Sequence, residues 1–214
     1  MLSTIITFVI LTIIINFCKG FADYNTAITH FNEGCKKDEL GFYGKAIEEY
    51  NKAIELRPNY VDAYFTRGVA KCSLKKYSEA IQDFNKVIEL KPNYSEAYSN
   101  RGLAKSDLGQ HFEAIPDFDK AISLDPNDVK NYINRGVSKR WLGQYSEAIE
   151  DFDKAISLDL NNVNAYLFRG DAKTCLGQYS EAMQDIDKAI SLDPNDVELY
   201  KCKEKLKLKL NKTV

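Results

Sequence analysis

The most constraining feature of this 214-residue sequence is a repetition with a fixed period. A glycine recurs once in each period, and an alanine follows it twelve residues later. Self-similarity at a fixed period of about 20–50 residues is the signature of proteins built from stacked structural repeats. The evenly spaced glycines are Gly34, Gly68, Gly102, Gly136 and Gly170. The chain therefore divides into five repeats, at residues 27–60, 61–94, 95–128, 129–162 and 163–196.

Each repeat is predicted to form two helices, which makes the predicted fold class all-α. The first helix covers repeat positions 1 to about 14 and ends at a Leu-Gly pair in four repeats, where glycine can adopt the left-handed conformation that stops a helix. The second helix begins near position 18. Its apolar residues follow the i, i+1, i+4, i+7, i+8 spacing of one helical stripe. In the fourth repeat they are Ala148, Ile149, Phe152, Ala155 and Ile156.

This pattern resembles that of the tetratricopeptide repeat family across residues 27–196. The resemblance implies a right-handed α-solenoid of five helix-turn-helix repeats, whose first helices line a concave groove. Some repeat positions depart from the family pattern. The large aromatic residue at position 4 is His30 in the first repeat, the leucine at position 7 is arginine in four repeats, and the tyrosine at position 11 is lysine in all five. Pro116 lies inside a predicted second helix and is expected to kink or loosen it.

The segment after the last repeat is predicted to cap the solenoid. Residues 197–211 have the pattern of a sixth first helix and carry alternating lysines, and the end of a solenoid requires a polar cover. A basic tail on an acidic body also suits anionic lipid or nucleic acid, which leaves nucleic-acid binding as an alternative function.

The N-terminal segment differs from the repeats in composition. Residues 1–18 contain no charged side chain, and the apolar run 2–17 has the length of a signal-peptide core. Gly20 and Ala22 place small residues at the −3 and −1 positions of a cut after Ala22. The sequence therefore predicts a signal peptide at residues 1–22, a mature chain beginning at Asp23, and a secreted or periplasmic location. An uncleaved membrane anchor formed by residues 2–18 and a cytosolic protein remain the alternatives.

Residue types and spacings argue against an enzyme. The chain has two histidines, His30 and His111, and its five cysteines form no C-x-x-C pair. No G-x-S-x-G, P-loop, H-E-x-x-H or EF-hand pattern occurs. We therefore expect no catalytic residues, no cofactor and no metal. We also expect the four cysteines that follow residue 22 to be free thiols, because the predicted repeats hold them too far apart for disulfides.

The resemblance also implies which residues bind a partner, since family positions 2, 5, 6, 9, 12 and 13 face the groove. The implied groove residues are Phe65, Val69, Asn100, Leu103, Lys130, Ile133, Asn134, Val137, Arg140, Trp141 and Phe168. The same groove-facing positions also hold acidic residues, namely Asp38, Glu39, Asp62, Glu96, Asp107 and Asp171. Together these residues form an apolar, mostly acidic trough, which suits a protein or peptide segment with apolar anchors and basic flanks. Trp141 is the strongest candidate, because the same position is small or polar in the other repeats.

One binding mode of the family is not predicted here. Co-chaperone members grip a terminal carboxylate with lysine, asparagine and arginine side chains, and only Asn100 and Lys130 match that set. Phe65, Val69 and Asn134 stand where the other three residues are required. The prediction is therefore a non-enzymatic scaffold for protein–protein interaction, exported or membrane-tethered. A cytosolic co-chaperone or adaptor is the alternative if the N-terminus is not processed.

Charges at two repeat positions predict a ladder of ion pairs between repeats. Position 23 is acidic in every repeat, and position 7 is basic in every following one, as in Asp83 and Arg101. The only acidic residue at position 7 is Glu33, whose repeat has no predecessor. The acidic residues of the repeats are expected to lie at solvent-facing positions, where solvation accommodates their charge.

Overall fold

A computed structural model describes the backbone of residues 2–211 and the side chains of residues 20 and 22–211. The described residues form eleven α-helices and no strand, which confirms the all-α prediction. The helices are α1 (Leu2–Glu39), α2 (Tyr43–Leu56), α3 (Val61–Ser73), α4 (Tyr77–Leu90), α5 (Ser95–Asp107), α6 (His111–Leu124), α7 (Val129–Trp141), α8 (Tyr145–Leu158), α9 (Val163–Cys175), α10 (Tyr179–Leu192) and α11 (Val197–Leu210).

The helices belong to two compact units, which divide after Pro92. The first unit contains α1–α4. The second contains α5–α10, which form three helix pairs, and α11, which packs on α10. Within each pair, the first helix packs antiparallel to the second, because only a short turn connects them. This alternation is that of an α-solenoid of helical repeats.

Glycine residues end most of the first helices. Gly41, Gly109, Gly143 and Gly177 have φ between 76° and 78°, a left-handed conformation that stops a helix and is costly for other residues. In the second repeat Lys75 adopts φ 58° at the equivalent place. Pro116 lies inside α6, which continues from His111 to Leu124. The proline therefore does not interrupt the helix.

In the first four repeats, a glycine of the first helix packs directly against an aromatic ring of the second helix. In the fourth repeat Phe152 is fully buried, and its ring lies so close to Gly136 that a Cβ atom there would be 2.7 Å from Phe152 Cε1. The same arrangement joins Gly34 to Tyr50, Gly68 to Phe84 and Gly102 to Phe118. Gly170 is the exception, because aliphatic Ile186 replaces the ring. The fixed glycine period therefore records a close approach of helix to ring.

The predicted ladder of ion pairs is wrong. Asp151 pairs within its own repeat, with Arg135 Nε at 3.0 Å and Lys139 Nζ at 2.8 Å. Arg135 and Lys139 are one helical turn apart on α7, so both reach the same carboxylate on α8. Asp151 is 3% exposed, so the expectation of a solvated acid also fails at this position. The equivalent triads are Arg67–Asp83–Lys71, Arg101–Asp117–Lys105 and Arg169–Asp185–Lys173.

Contacts between successive repeats use position 25 instead of position 23. Arg135 extends its other terminal nitrogen to Asp119 of the preceding repeat, at 2.6 Å, and Lys203 reaches Asp187 at the same distance. These partners are about half exposed, whereas the position-23 carboxylates are buried. Arg135 and Arg169 therefore each link a buried carboxylate in their own repeat to an exposed one in the repeat before it, whereas Arg67 reaches the side-chain amide oxygen of Asn51 instead.

The first repeat holds its buried acid with different residues. Glu49 accepts from Lys37 at 2.9 Å, and His30 Nδ1 lies 2.7 Å from its other oxygen. Hydrogen bonding from Lys37, supplemented by His30 and Lys52, lowers the pKa of Glu49 to about 2. His30 thus supplies the contact that arginine makes in the later repeats. Glu33, which cannot make it, lies near Lys36 and Lys37 instead.

Two further predictions concern membranes and thiols. Over residues 20 and 22–211, none of the helices contains an apolar stretch that could span a membrane. The apolar run 2–17 lies outside those described side chains. No disulfide joins Cys35, Cys72, Cys175 and Cys202.

Candidate protein-binding groove

The predicted groove residues are divided between the two compact units. Phe65 and Val69 lie on α3 in the first unit, and the other nine lie on α5, α7 and α9 in the second. Phe65 is half-buried, with its ring centroid 6.0 Å from that of Phe84, so it packs inside its own repeat. The structure therefore concentrates the candidate site in the second unit.

A pocket of about 420 Å³ lies between α5 and α7, and it brings together four of the predicted residues. Its apolar walls are Leu103 and Val137, and Asn134 and Trp141 are the other two predicted members. Asp107, one of the acids expected to face the groove, also lines the pocket. Three further lining residues were not predicted, namely Ser106, Gly109 and His111. Pockets with apolar walls and a few polar groups are typical binding sites in proteins.

Trp141 forms one edge of this pocket and is largely exposed to solvent. Its side chain is 64% exposed, so the repeat does not use the indole as core. The ring stacks on His111 with centroids 5.6 Å apart and an interplanar angle of 1°, and the Arg140 guanidinium lies 5.4 Å from the indole centroid. These contacts hold the indole in one orientation while leaving much of its surface open.

His111 is the functional candidate that sequence reasoning missed. It begins α6 and occupies a slot that is tyrosine in the other four repeats, and this departure was the available signal. Its Nδ1 lies 3.1 Å from Ser106 Oγ, which fixes the ring against Trp141. Asp107 lines the same pocket, and burial raises the pKa of its carboxyl group. The pocket thus combines two stacked rings with an acidic wall.

The remaining predicted residues have mainly structural contacts. Ile133 and Phe168 pack against the core around Phe152. The ring centroids of Phe168 and Phe152 are 6.0 Å apart. Asn100 donates its side-chain amide to Glu96 O at 2.7 Å. The exposed Lys130 lies at the start of α7, where its backbone N–H donates to the N-cap residue Asp128.

Arg140 joins two neighbouring first helices. It donates to Asp171 of α9 at 2.8 Å, and its side chain is 21% exposed. Arg140 therefore neutralises Asp171, one of the acids that were expected to face the trough.

The described residues offer no group of three or more His, Cys, Asp or Glu side chains that could hold a metal ion. The lysines of α11 are also mostly engaged. Lys201 pairs with Glu198, Lys203 with Asp187 and Lys207 with Glu204. Such pairing reduces the positive field that nucleic acid would require.

Family comparisons match most of the chain. A family described as TPR repeat matches residues 39–72 and 68–109. Two families described as tetratricopeptide repeat match residues 95–128 and 129–162, and residues 163–196. No curated protein matches the chain.

Solved structures share the fold. A crystal structure of the MamA protein is 26% identical with a TM-score of 0.74, over 81% of this chain and 94% of that one. YrrB, described as a TPR protein with an unusual peptide-binding site, is 23% identical with a TM-score of 0.72, over 83% and 92%. PilW, a type IV pilus biogenesis factor, is 19% identical with a TM-score of 0.78, over 86% of each chain.

Proposed function

Because this chain belongs to the tetratricopeptide repeat family, whose members typically act as non-catalytic scaffolds, we propose that it binds a partner protein segment on the first helices of its second unit. The observation that carries the proposal is the exposed indole of Trp141, stacked on His111 at the edge of a pocket of about 420 Å³. Large aromatic residues held rigidly at a pocket are the residues that dominate binding energy at interfaces.

The chemistry of the pocket favours one kind of segment. Leu103 and Val137 offer apolar contact, and Asp107 offers a carboxyl group that attracts a cation. A segment with an apolar anchor beside a lysine or arginine is complementary to both. YrrB, which shares this fold, is a TPR protein with a peptide-binding site, and this likeness supports peptide binding as the mode of recognition.

Replacing Trp141 by alanine tests this function. The variant is expected to keep its helical content and melting temperature, because the side chain is 64% exposed. It is expected to weaken partner binding at least tenfold, equivalent to about 1.4 kcal/mol, because truncation removes the principal contact surface. Affinity purification with mass spectrometry identifies the partners, and titration with a captured partner measures the change.

Phe112→Ala is the matched control. Phe112 is an aromatic residue of the same unit that is 71% exposed, and it does not line the pocket. The Phe112→Ala variant should retain full affinity for the partner. An equal loss of partner affinity in both variants would mean that exposed apolar surface in general, and not the pocket, binds the partner. Full partner affinity in Trp141→Ala would show that the pocket does not bind the partner.

The proposal includes export of the scaffold. The charge-free N-terminal run and the small residues Gly20 and Ala22 support cleavage after Ala22. Ala27 is fully buried and lies beyond that point, so the cut would leave the packed part of the first repeat intact. Tethering by residues 2–18 and a cytosolic adaptor are the competing forms of the same scaffold.

The intact mass of the natively expressed protein distinguishes these forms. The expected result is the mass of a chain that begins at Asp23. A full-length chain recovered from membranes would instead establish the anchor, and a full-length chain recovered from the soluble fraction would establish the cytosolic adaptor.

A further inference from the structure

A second cavity lies at the C-terminal end of the second unit, outside the predicted groove set except for Phe168. It has a volume of about 300 Å³, which is at the lower end for ligand pockets. Three helices, α9, α10 and α11, contribute to its lining. The cavity is therefore built by the last repeat together with the cap.

The inside of this cavity is apolar. Leu167, Phe168, Ile186 and Leu206 contribute to its walls, together with Gly170. In the four earlier repeats an aromatic ring covers the glycine at this repeat position. Here Ile186 replaces that ring, and Gly170 is left lining the cavity. This departure from the repeat pattern produces a recess suited to one apolar side chain.

The rim of the cavity is positively charged, whereas its interior is apolar. Lys205 and Lys209, on successive turns of α11, both line it and both are exposed. Within the described part of the chain neither lysine forms an ion pair, whereas Lys201, Lys203 and Lys207 of the same helix each form one. The one acid in the lining, Asp171, is already paired with Arg140 at 2.8 Å. Two uncompensated ammonium groups therefore border an apolar recess.

The other polar lining groups are neutral. Thr174 contributes a hydroxyl group that already donates to Gly170 O at 2.8 Å. Cys202 contributes a thiol, and burial raises its pKa, so it does not offset the lysines with a thiolate at neutral pH. An acidic group is the one charge complementary to this rim.

We propose that this cavity binds an apolar side chain of the partner segment that is flanked by aspartate or glutamate, with Lys205 and Lys209 holding the flanking carboxylates. The inference rests on the proposed function, and it adds a direction in which the partner segment binds. Asp107 attracts a basic residue at the pocket beside Trp141, and the lysines of α11 attract an acidic one at the cap. A segment bound across both sites is thereby oriented.

Three tripeptides with blocked termini test the cavity directly. Each has a central phenylalanine, flanked by two glutamates, two glutamines or two lysines. Binding is followed through the backbone amide resonances of Phe168, Thr174 and Cys202 in the full-length protein. The glutamate peptide is expected to bind about fivefold more tightly than the glutamine peptide, as two exposed ion pairs would give, and the lysine peptide most weakly. The difference should shrink at high salt.

Variants assign the effect to the rim. Lys205→Gln combined with Lys209→Gln should abolish the preference for the glutamate peptide while retaining binding of the glutamine peptide. Lys207→Gln is the matched control, because Lys207 lies on the same helix, pairs with Glu204 and does not line the cavity. It should leave the preference unchanged.

Site occupancy has an independent readout in thiol protection. The glutamate peptide should slow alkylation of Cys202 by N-ethylmaleimide and leave the exposed Cys175, which does not line the cavity, unaffected. Equal affinity of the three peptides, absence of binding by all of them, or an unchanged preference in the double variant would overturn the inference. Loss of partner binding in Trp141→Ala together with any of these results would leave the scaffold function standing without this site.

Discussion

Replacing Asp151 by alanine is expected to lower the free energy of unfolding by about 3 kcal/mol, because it removes the buried carboxylate that pairs with both Arg135 and Lys139 and leaves Arg135 only the exposed Asp119. Asp151 is 3% exposed, accepts hydrogen bonds from Arg135 and pairs with Lys139 Nζ at 2.8 Å, so these cations provide the stabilisation of its charge that water cannot. Urea denaturation followed by circular dichroism measures the change.

Asp153→Ala is the control for this experiment. Asp153 lies two residues further on the same helix, is about half exposed and pairs with Arg169 of the following repeat. An exposed pair contributes about 0–1 kcal/mol, so this variant should stay close to the parent protein. A loss as large as that of Asp151→Ala would mean that contacts between repeats dominate the electrostatic stability.

Replacing Gly136 by alanine is expected to destabilise the protein by about 2 kcal/mol, even though alanine is the better helix former by about 1 kcal/mol. The new Cβ atom would lie 2.7 Å from Phe152 Cε1, and because Phe152 is fully buried, its ring can move away only by displacing core neighbours. Thermal and urea denaturation both report the loss.

Two companion variants test the cause. Gly170→Ala places its Cβ atom 3.2–3.3 Å from its neighbours, so helix propensity should offset most of the strain and leave stability within about 1 kcal/mol of the parent. Phe152→Leu combined with Gly136→Ala should recover part of the loss, because the ring is the obstacle. Equal effects of Gly136→Ala and Gly170→Ala would refute the ring contact as the reason for the glycine period.

The repeat pattern alone specified the helical architecture. The evenly spaced glycines predicted the period, Leu-Gly pairs predicted where most first helices end, and residues 197–211 were expected to be a cap. The structure has a helix at Val197–Leu210 and positive φ at Gly41, Gly109, Gly143 and Gly177. Local rules suffice for these features, since a helix and its stop depend on residues that are neighbours in sequence.

The candidate site was only partly predictable. Leu103, Asn134, Val137 and Trp141 do line one pocket, but His111 joins them from a slot that elsewhere holds tyrosine. His111 and Trp141 belong to different repeats, and only the stacking of neighbouring helices places their rings face to face. No local pattern encodes such a contact.

The pairing of the buried acids shows why tertiary structure had to decide the rest. An arginine at position 7 stands in the sequence between two acids at position 23, one in its own repeat and one in the repeat before it. Arg135 lies in this way between Asp117 and Asp151, at nearly equal separations along the chain, so charge pattern alone could not choose between them. The packing of α7 on α8 directs Arg135 and Lys139 toward Asp151. Because burial removes water from that carboxylate, its charge must be compensated by nearby cations, and these two residues of α7 provide them.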